Sequence, residues 1–168
     1  MEQISFSGTH GTGKSTSAAF EYRSLKLLHP DKSVCLLCDM EAYCPFEINK
    51  GTSERAQSWM FARQIKHEIE SSVRFDYIIT DRTIVDIIAY TYVAGFDRLA
   101  SGMLDYAHHY VKAYDKIRVK QLQFNSFLYE DGIRDIDPSF RADVESVLKD
   151  LYAQLQSSGA IHGNLYFV

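Results

Sequence analysis

The chain is predicted to adopt an α/β fold, a three-layer sandwich with a parallel sheet of about five strands between layers of helices. Three observations predict it. Short apolar runs alternate with longer stretches of helical periodicity, the pattern of successive β–α–β units. The run Ser33-Val34-Cys35-Leu36-Leu37-Cys38 is apolar almost throughout, as expected of a strand buried on both faces. Between the first strand and the first helix stands Gly8-Thr9-His10-Gly11-Thr12-Gly13-Lys14-Ser15, which fits the phosphate-binding pattern G-x-x-x-x-G-K-[ST] in the strand–loop–helix setting that this pattern requires.

Taken in order, Gln3-Ile4-Ser5-Phe6-Ser7 alternates apolar and polar residues, the period of a strand. A helix is expected from Ser15 to Leu28, ended by the turn His29-Pro30-Asp31-Lys32. The second strand is the 33–38 run. A polar helix follows over about 52–72, with Trp59, Phe61, Ile65 and Ile69 as a broken apolar stripe. Phe75-Asp76-Tyr77-Ile78-Ile79-Thr80 reads as the third strand, and helical periodicity resumes at 84–93 and 99–114. A fourth strand falls within 117–129, then a charged loop, a helix over about 138–156 and a last strand at 164–168. With no repeat and no low-complexity linker, residues 1–168 read as one domain with a lid at about 129–142. In such a fold, ligands bind at the carboxyl ends of the strands.

Composition narrows the function classes. At 168 residues, 46% apolar and 24% charged, the chain suits a single globular domain with a sizeable core. The net charge of −4 argues against a broad electrostatic grip on nucleic acid, though a local basic groove is compatible with it. No apolar run has the length of a membrane span and the N-terminus runs directly into the first strand, so a cytoplasmic location is expected. Cys35, Cys38 and Cys44 are odd in number and lack a second pair, which speaks against a disulfide framework or a zinc site and for small buried apolar residues.

The phosphate loop carries the chemistry. Gly8, Gly11 and Gly13 let the backbone turn and bring successive N–H groups around an anion, and the helix opening at Gly13 aims its positive end at the same place. Lys14 is expected to reach the β- and γ-phosphates of ATP and Ser15 to join the shell of a Mg²⁺ ion. The expected triphosphate-binding set is Gly8, Gly11, Thr12, Gly13, Lys14, Ser15 and Thr16.

Three more constellations stand at strand ends. Asp39-Met40-Glu41 follows the second strand, where a carboxylate can take a proton from an attacking hydroxyl. Asp81-Arg82 follows the third, where Asp81 can support the metal and Arg82 can clamp phosphate oxygens. The charged loop from Glu130 to Arg141 carries Arg134 and Arg141, which a closing lid would bring to the transferring phosphoryl group. Tyr43, Phe46 and Trp59 offer rings for stacking on a base or pyridine ring, Phe46 foremost, with Gln57 and Gln64 to read its edge.

These residues together resemble the small P-loop kinases of the AAA-domain group typified by the nicotinamide riboside kinase domain, which are similar in turn to thymidylate and deoxynucleoside kinases. The resemblance rests on Gly8 to Ser15, on Cys44-Pro45-Phe46-Glu47-Ile48-Asn49, and on Ala56-Gln57-Ser58-Trp59-Met60-Phe61 with Gln64 and Glu68. It continues through Thr80-Asp81-Arg82-Thr83 with Asp86 and Ala89-Tyr90, and through Asp131-Gly132-Ile133-Arg134 with Asp137, Phe140 and Arg141. It implies a P-loop NTPase sheet in the order 2-3-1-4-5 and transfer of the ATP γ-phosphate to a hydroxyl of a nucleoside-like or nucleotide-like acceptor. The family has a glutamate after the second strand and an arginine three positions later, where this chain has Asp39 and Ala42. Alignment with the family favours Asp39 as the base, and reach favours Glu41.

Two other readings stay open. One is a nucleotide-hydrolysing switch or interaction module, against which stand the missing acidic pair after the third strand and the missing N-K-x-D motif. The other is a kinase of a modified base within DNA, which keeps the chemistry and enlarges the acceptor. A homodimer is compatible with either.

Overall fold

The computed structural model describes residues 1–48, 51–122 and 137–168. Five strands form one sheet in the order β2-β3-β1-β4-β5: β1 (Glu2–Ser7), β2 (Val34–Leu37), β3 (Tyr77–Thr80), β4 (Lys116–Val119) and β5 (Leu165–Phe167). Every pairing is parallel. The central strand β1 is buried from Gln3 to Ser7, as a strand covered on both faces must be. Its register sets Ser5 beside Thr80 and Ser7 beside Val119, so the segments that leave β1, β3 and β4 emerge along one edge.

Among the described residues, five α-helices pack around the sheet: α1 (Lys14–Leu28), α2 (Glu54–Ser72), α3 (Ile84–Val93), α4 (Asp97–Tyr110) and α5 (Pro138–Ser157). Two apolar clusters separate the layers. Ala18 and Leu25 of α1 pack with Ile4, Phe6, Val34 and Ile79 of the sheet. The larger cluster joins α3, α4 and α5 to Ile117 and Val119 of β4. Helix α3 is buried from Ile84 to Thr91, so its continuous apolar run reflects a helix surrounded by others. Among the described residues, no helix is long and apolar enough to cross a membrane.

The structure amends the sequence reading at four places. The buried face of α2 is largely polar: Ala56, Gln57, Gln64, Glu68 and Ser71 point inward, while Ile69 of the expected stripe is 52% exposed. The spacing of these residues is helical too, and each polar side chain finds a hydrogen-bond partner, which apolar counting does not register. The expected 99–114 helix begins at Asp97 and closes at Tyr110, with a 3-10 turn at Val111–Ala113 leading Tyr114 into the core. The cysteines are free and half-buried rather than core residues, and Cys38 lies beyond the end of β2. Residues 138–142, assigned to a lid, form the first turn of α5; the rest of the expected lid from 129 to 136 lies outside the described residues.

One side chain ties the sheet edge to the helical layer. Asp86, 1% exposed, closes the capping box at the start of α3: its Oδ2 accepts from Thr83 N at 2.8 Å and Thr83 Oγ1 at 2.7 Å. Its Oδ1 accepts from Gly8 N at 2.8 Å, where β1 gives way to the loop. Removing the carboxylate leaves two buried N–H donors without partners, so Asp86→Ala should lower stability by about 3 kcal/mol. Urea unfolding at unchanged m-value measures this, and an unshifted midpoint would show that Gly8 and Thr83 find other acceptors.

Candidate active site

The site is built where β1 ends. Gly8 leaves the strand at φ 138°, and a Cβ there would lie 2.4 Å from the Lys120 carbonyl oxygen, so only glycine fits. Further round the loop, Tyr90 of α3 holds His10 through both its backbone N–H (3.1 Å) and its Nδ1 (2.8 Å), and Arg141 Nε donates to the His10 carbonyl at 3.2 Å. Thr12 Oγ1 donates to Thr9 O at 2.8 Å. Gly13 caps α1 in the left-handed conformation, with no side-chain capping hydrogen bond among the described residues. The first N–H groups of α1 are therefore left for a ligand, as an anion site requires.

A cleft opens over this end, lined by His10, Gly11, Gly13, Lys14, Ser15 and Thr16 on the loop side, with Glu41, Asp81 and Arg82 opposite. Gly8 and Thr12 are not among the lining residues; their bonds to Asp86 and Thr9 shape the loop from behind. Lys14 is folded back onto its own loop, its Nζ donating to the Thr9 carbonyl at 2.8 Å. Burial, and after it the nearby Arg82 guanidinium, brings the Lys14 ammonium down to about 8 against the partial support of Asp86, Asp81 and Glu41.

Ser15 Oγ donates to Asp81 Oδ2 at 2.6 Å, joining the hydroxyl and carboxylate expected at a metal. The other oxygen, Asp81 Oδ1, is buried and has no hydrogen-bond partner among the described residues. Burial raises the Asp81 carboxyl above its usual range, with the Ser15 hydrogen bond and Lys14 opposing. A buried carboxylate oxygen with lone pairs not engaged by any described donor, beside a serine hydroxyl, fits Mg²⁺, which keeps its waters and takes one or two protein oxygens plus phosphate oxygens. No group of three or more His, Cys, Asp or Glu residues is placed to hold an ion among the described residues.

On the far side, Arg82 Nη2 donates to Glu41 Oε1 at 2.8 Å, with the guanidinium 5.4 Å over the ring of Tyr90. Burial works against the charge on Arg82, but Glu41, together with Tyr90, Asp81 and Asp86, outweighs it and holds the guanidinium firmly protonated. Arg82 in turn holds the Glu41 carboxyl below its usual range, against burial. Asp39, favoured over Glu41 in the sequence reading, does not line this cleft, though it shares a small neighbouring cavity with Glu41, Asp81 and Arg82. It takes a left-handed conformation (φ 52°) as cap of the 3-10 turn Met40–Tyr43, is exposed, and is absent from the cleft lining. That sharp turn carries Glu41 inward in its place.

The residues expected to read an acceptor ring are engaged by other groups of the protein. Gln57 is 2% exposed, donating to Thr52 Oγ1 at 2.9 Å and accepting from Thr91 Oγ1 at 3.2 Å. Gln64 is equally buried, and its Nε2 donates to Glu68 at 2.6 Å and to the Arg82 carbonyl at 3.1 Å. Neither amide lines the phosphate cleft. Phe46 is half-buried with the Arg55 guanidinium 5.9 Å from its ring, while Tyr43 and Trp59 flank Arg63 at 4.9 and 5.1 Å. Arg134 lies outside the described residues, and Arg141 is a buried residue of α5 rather than a lid arginine.

Sequence reasoning assigned no task to Asp86, Tyr90 or His10. The signal for Asp86 was present, since Thr83-x-x-Asp86 ahead of an apolar run is a capping-box pattern. Tyr90 follows Asp86 by one helical turn, which sets both on the same face of α3. Nothing local marks His10, whose partner is 80 residues away.

A triphosphate placed on the loop supplies the negative charge that Lys14 lacks, so binding should restore its proton. Titration calorimetry in two buffers of different ionisation enthalpy at about pH 9 should show uptake approaching one proton per ATP, falling toward none at about pH 7. Lys14→Met should abolish the uptake. Equal heats in the two buffers at the higher pH would contradict this account of Lys14.

No protein-family model and no curated protein sequence matches the chain significantly. Solved structures do. The deoxyadenosine kinase of M. mycoides, with dCMP and a flexible dCDP bound as products, superposes with a TM-score of 0.68 at 16% identity, over 99% of this chain and 89% of that one. The thymidylate kinase of Candida albicans gives 0.70 at 17% identity, over 99% and 82%. That of Ehrlichia chaffeensis gives 0.65 at 17%, over 99% and 86%. These likenesses establish the fold, that of the P-loop nucleotide kinases, with the parallel sheet in the order β2-β3-β1-β4-β5 and the phosphate loop after its central strand.

Proposed function

We propose that the chain is an ATP-dependent kinase that transfers the γ-phosphate to a hydroxyl of a nucleoside or nucleotide. The observation that carries this reading is the cleft itself, in which the phosphate loop with Lys14 faces the Ser15–Asp81 pair and the Glu41–Arg82 pair. A nucleotide-hydrolysing switch needs the first two; a carboxylate held ionised by an arginine on the opposite wall is what an acceptor hydroxyl needs. The solved deoxyadenosine and thymidylate kinases of the same fold support an acceptor of this class, and the sequence resemblance to the nicotinamide riboside kinase group adds a pyridine nucleoside to the candidates.

The chemistry follows from the wall positions. The α1 N-terminus and the loop N–H groups bind the triphosphate, and Lys14 exchanges the Thr9 carbonyl for phosphate oxygens. Ser15 and Asp81 would hold Mg²⁺, which would supply positive charge against that of the phosphates. The acceptor oxygen forms its bond to the γ-phosphorus as the bond from phosphorus to the β,γ-bridging oxygen breaks, and ADP leaves. Glu41 receives the hydroxyl proton, and Arg82 balances the charge on the transferring group. Arg141 contributes by holding the loop at His10.

The acceptor panel of nucleosides, nucleoside monophosphates and nicotinamide riboside with ATP and Mg²⁺ tests the reading; ADP released only in the absence of any acceptor dependence would contradict it. Glu41→Gln should cut transfer by about 10²-fold or more with ATP affinity little changed, while Asp39→Asn stays near the parent. The reverse ranking would return the base to Asp39. Excess chelator should stop turnover, and Ser15→Ala should raise the Mg²⁺ concentration needed for half-maximal rate; turnover that persists without any divalent ion would remove the metal from the scheme.

A further inference from the structure

Glu68, on α2, is 1% exposed and has no place in the scheme above. Its carboxylate gathers hydrogen bonds from three elements. Gln64 Nε2 donates to Oε1 at 2.6 Å, Tyr110 OH at the end of α4 donates to Oε2 at 2.9 Å, and Tyr114 OH donates to Oε2 at 3.1 Å. Gln3 of β1 also faces it. Two of these partners reach onward to the same short segment. The Gln64 amide nitrogen spends its second proton on the Arg82 carbonyl at 3.1 Å, and the Tyr114 hydroxyl, its proton turned to Glu68, accepts from Ile84 N at 3.1 Å. The carboxylate therefore sets the direction of two groups that grip the chain on either side of Thr83.

We propose that Glu68 is a positioning residue for phosphoryl transfer: through Gln64 and Tyr114 it clamps the Arg82–Ile84 segment and so fixes the Arg82 guanidinium against Glu41 in the cleft. This rests on the kinase reading given above. The ionised form is the one that serves, because only it accepts from every donor at once; a protonated carboxyl must turn one of them away. The titratable groups facing Glu68 are Tyr110 and Tyr114, and burial followed by the Glu68 charge raises both, so they remain donors. Burial lifts the Glu68 carboxyl itself to about 7 against the pull of its hydrogen bonds. The clamp therefore tightens as pH rises through neutrality.

The test is steady-state kinetics with ATP, Mg²⁺ and the best acceptor of the panel, between about pH 5.5 and 8.5. Wild-type kcat should rise through about 7. Glu68→Gln cannot titrate, and should lose that limb and about tenfold in kcat while KM for ATP and acceptor changes by less than about twofold. Gln64→Met and Tyr114→Phe each remove one jaw and should lower kcat in the same way; these two decide the matter if circular dichroism shows Glu68→Gln unfolded. A folded Glu68→Gln that keeps the limb or the full kcat, a loss confined to KM, or full activity in both jaw variants overturns the proposal and leaves the kinase reading standing. A wild-type protein that phosphorylates no acceptor overturns both.

Discussion

The Asp86 carboxylate is the point on which the site's geometry hangs. The phosphate loop joins β1 to α1, while Asp81 and Arg82 lie between β3 and α3 and Tyr90 within α3, and nothing in the local sequence obliges the two units to meet. Asp86 joins them by accepting from Gly8 at the root of the loop and from Thr83 at the root of α3. In a buried setting such charge-assisted bonds are short and directional. They hold the loop close enough to the next strand's end for Ser15 to meet Asp81, and for Tyr90, one turn further along α3, to hold His10.

Electrostatically, the cleft sets two buried cations among two carboxylates. Lys14 and Arg82 face each other across it, each penalised by burial, with Glu41 and Asp81 shared between them. In the free protein these groups satisfy one another: Lys14 on a carbonyl, Arg82 on Glu41, Ser15 on Asp81. Under the kinase reading these are the contacts that a triphosphate and its metal would replace, while the bonds of Asp86 and Tyr90 that shape the loop lie behind the cleft.

Helix α2 shows why its inward face is polar. It lies against the end of β2 and the segment after β3, where backbone donors and acceptors leave the sheet and need partners. An apolar face there would bury the Arg82 carbonyl unpaired, at a cost of the order of 1–3 kcal/mol; Gln64 supplies the partner. The aromatic residues of the region, Tyr43, Phe46 and Trp59, lie outside that face with arginines against their rings.

The sequence by itself determined the fold class, the strand and helix order and the phosphate loop. These depend on local periodicity and on glycines and a lysine at fixed spacing, which adjacent residues fully express. The pairs at the strand ends were legible as residue types for a similar reason, because in a parallel α/β sheet any acid or arginine just after a strand reaches the same edge. What only tertiary structure decided is which carboxylate after the second strand lines the cleft. Asp39 and Glu41 are two residues apart, and a left-handed turn at Asp39 sends one to solvent and the other to Arg82. Helical position likewise did not say that Gln57 and Gln64 would be spent on Thr52, Thr91, Glu68 and the Arg82 carbonyl. Arg141 was read as part of a loop and proves to be a buried helix residue bonded to the phosphate loop 131 positions away. Such choices depend on the direction of single bonds between distant segments, and a direction in space is not written in the spacing of residues along a chain.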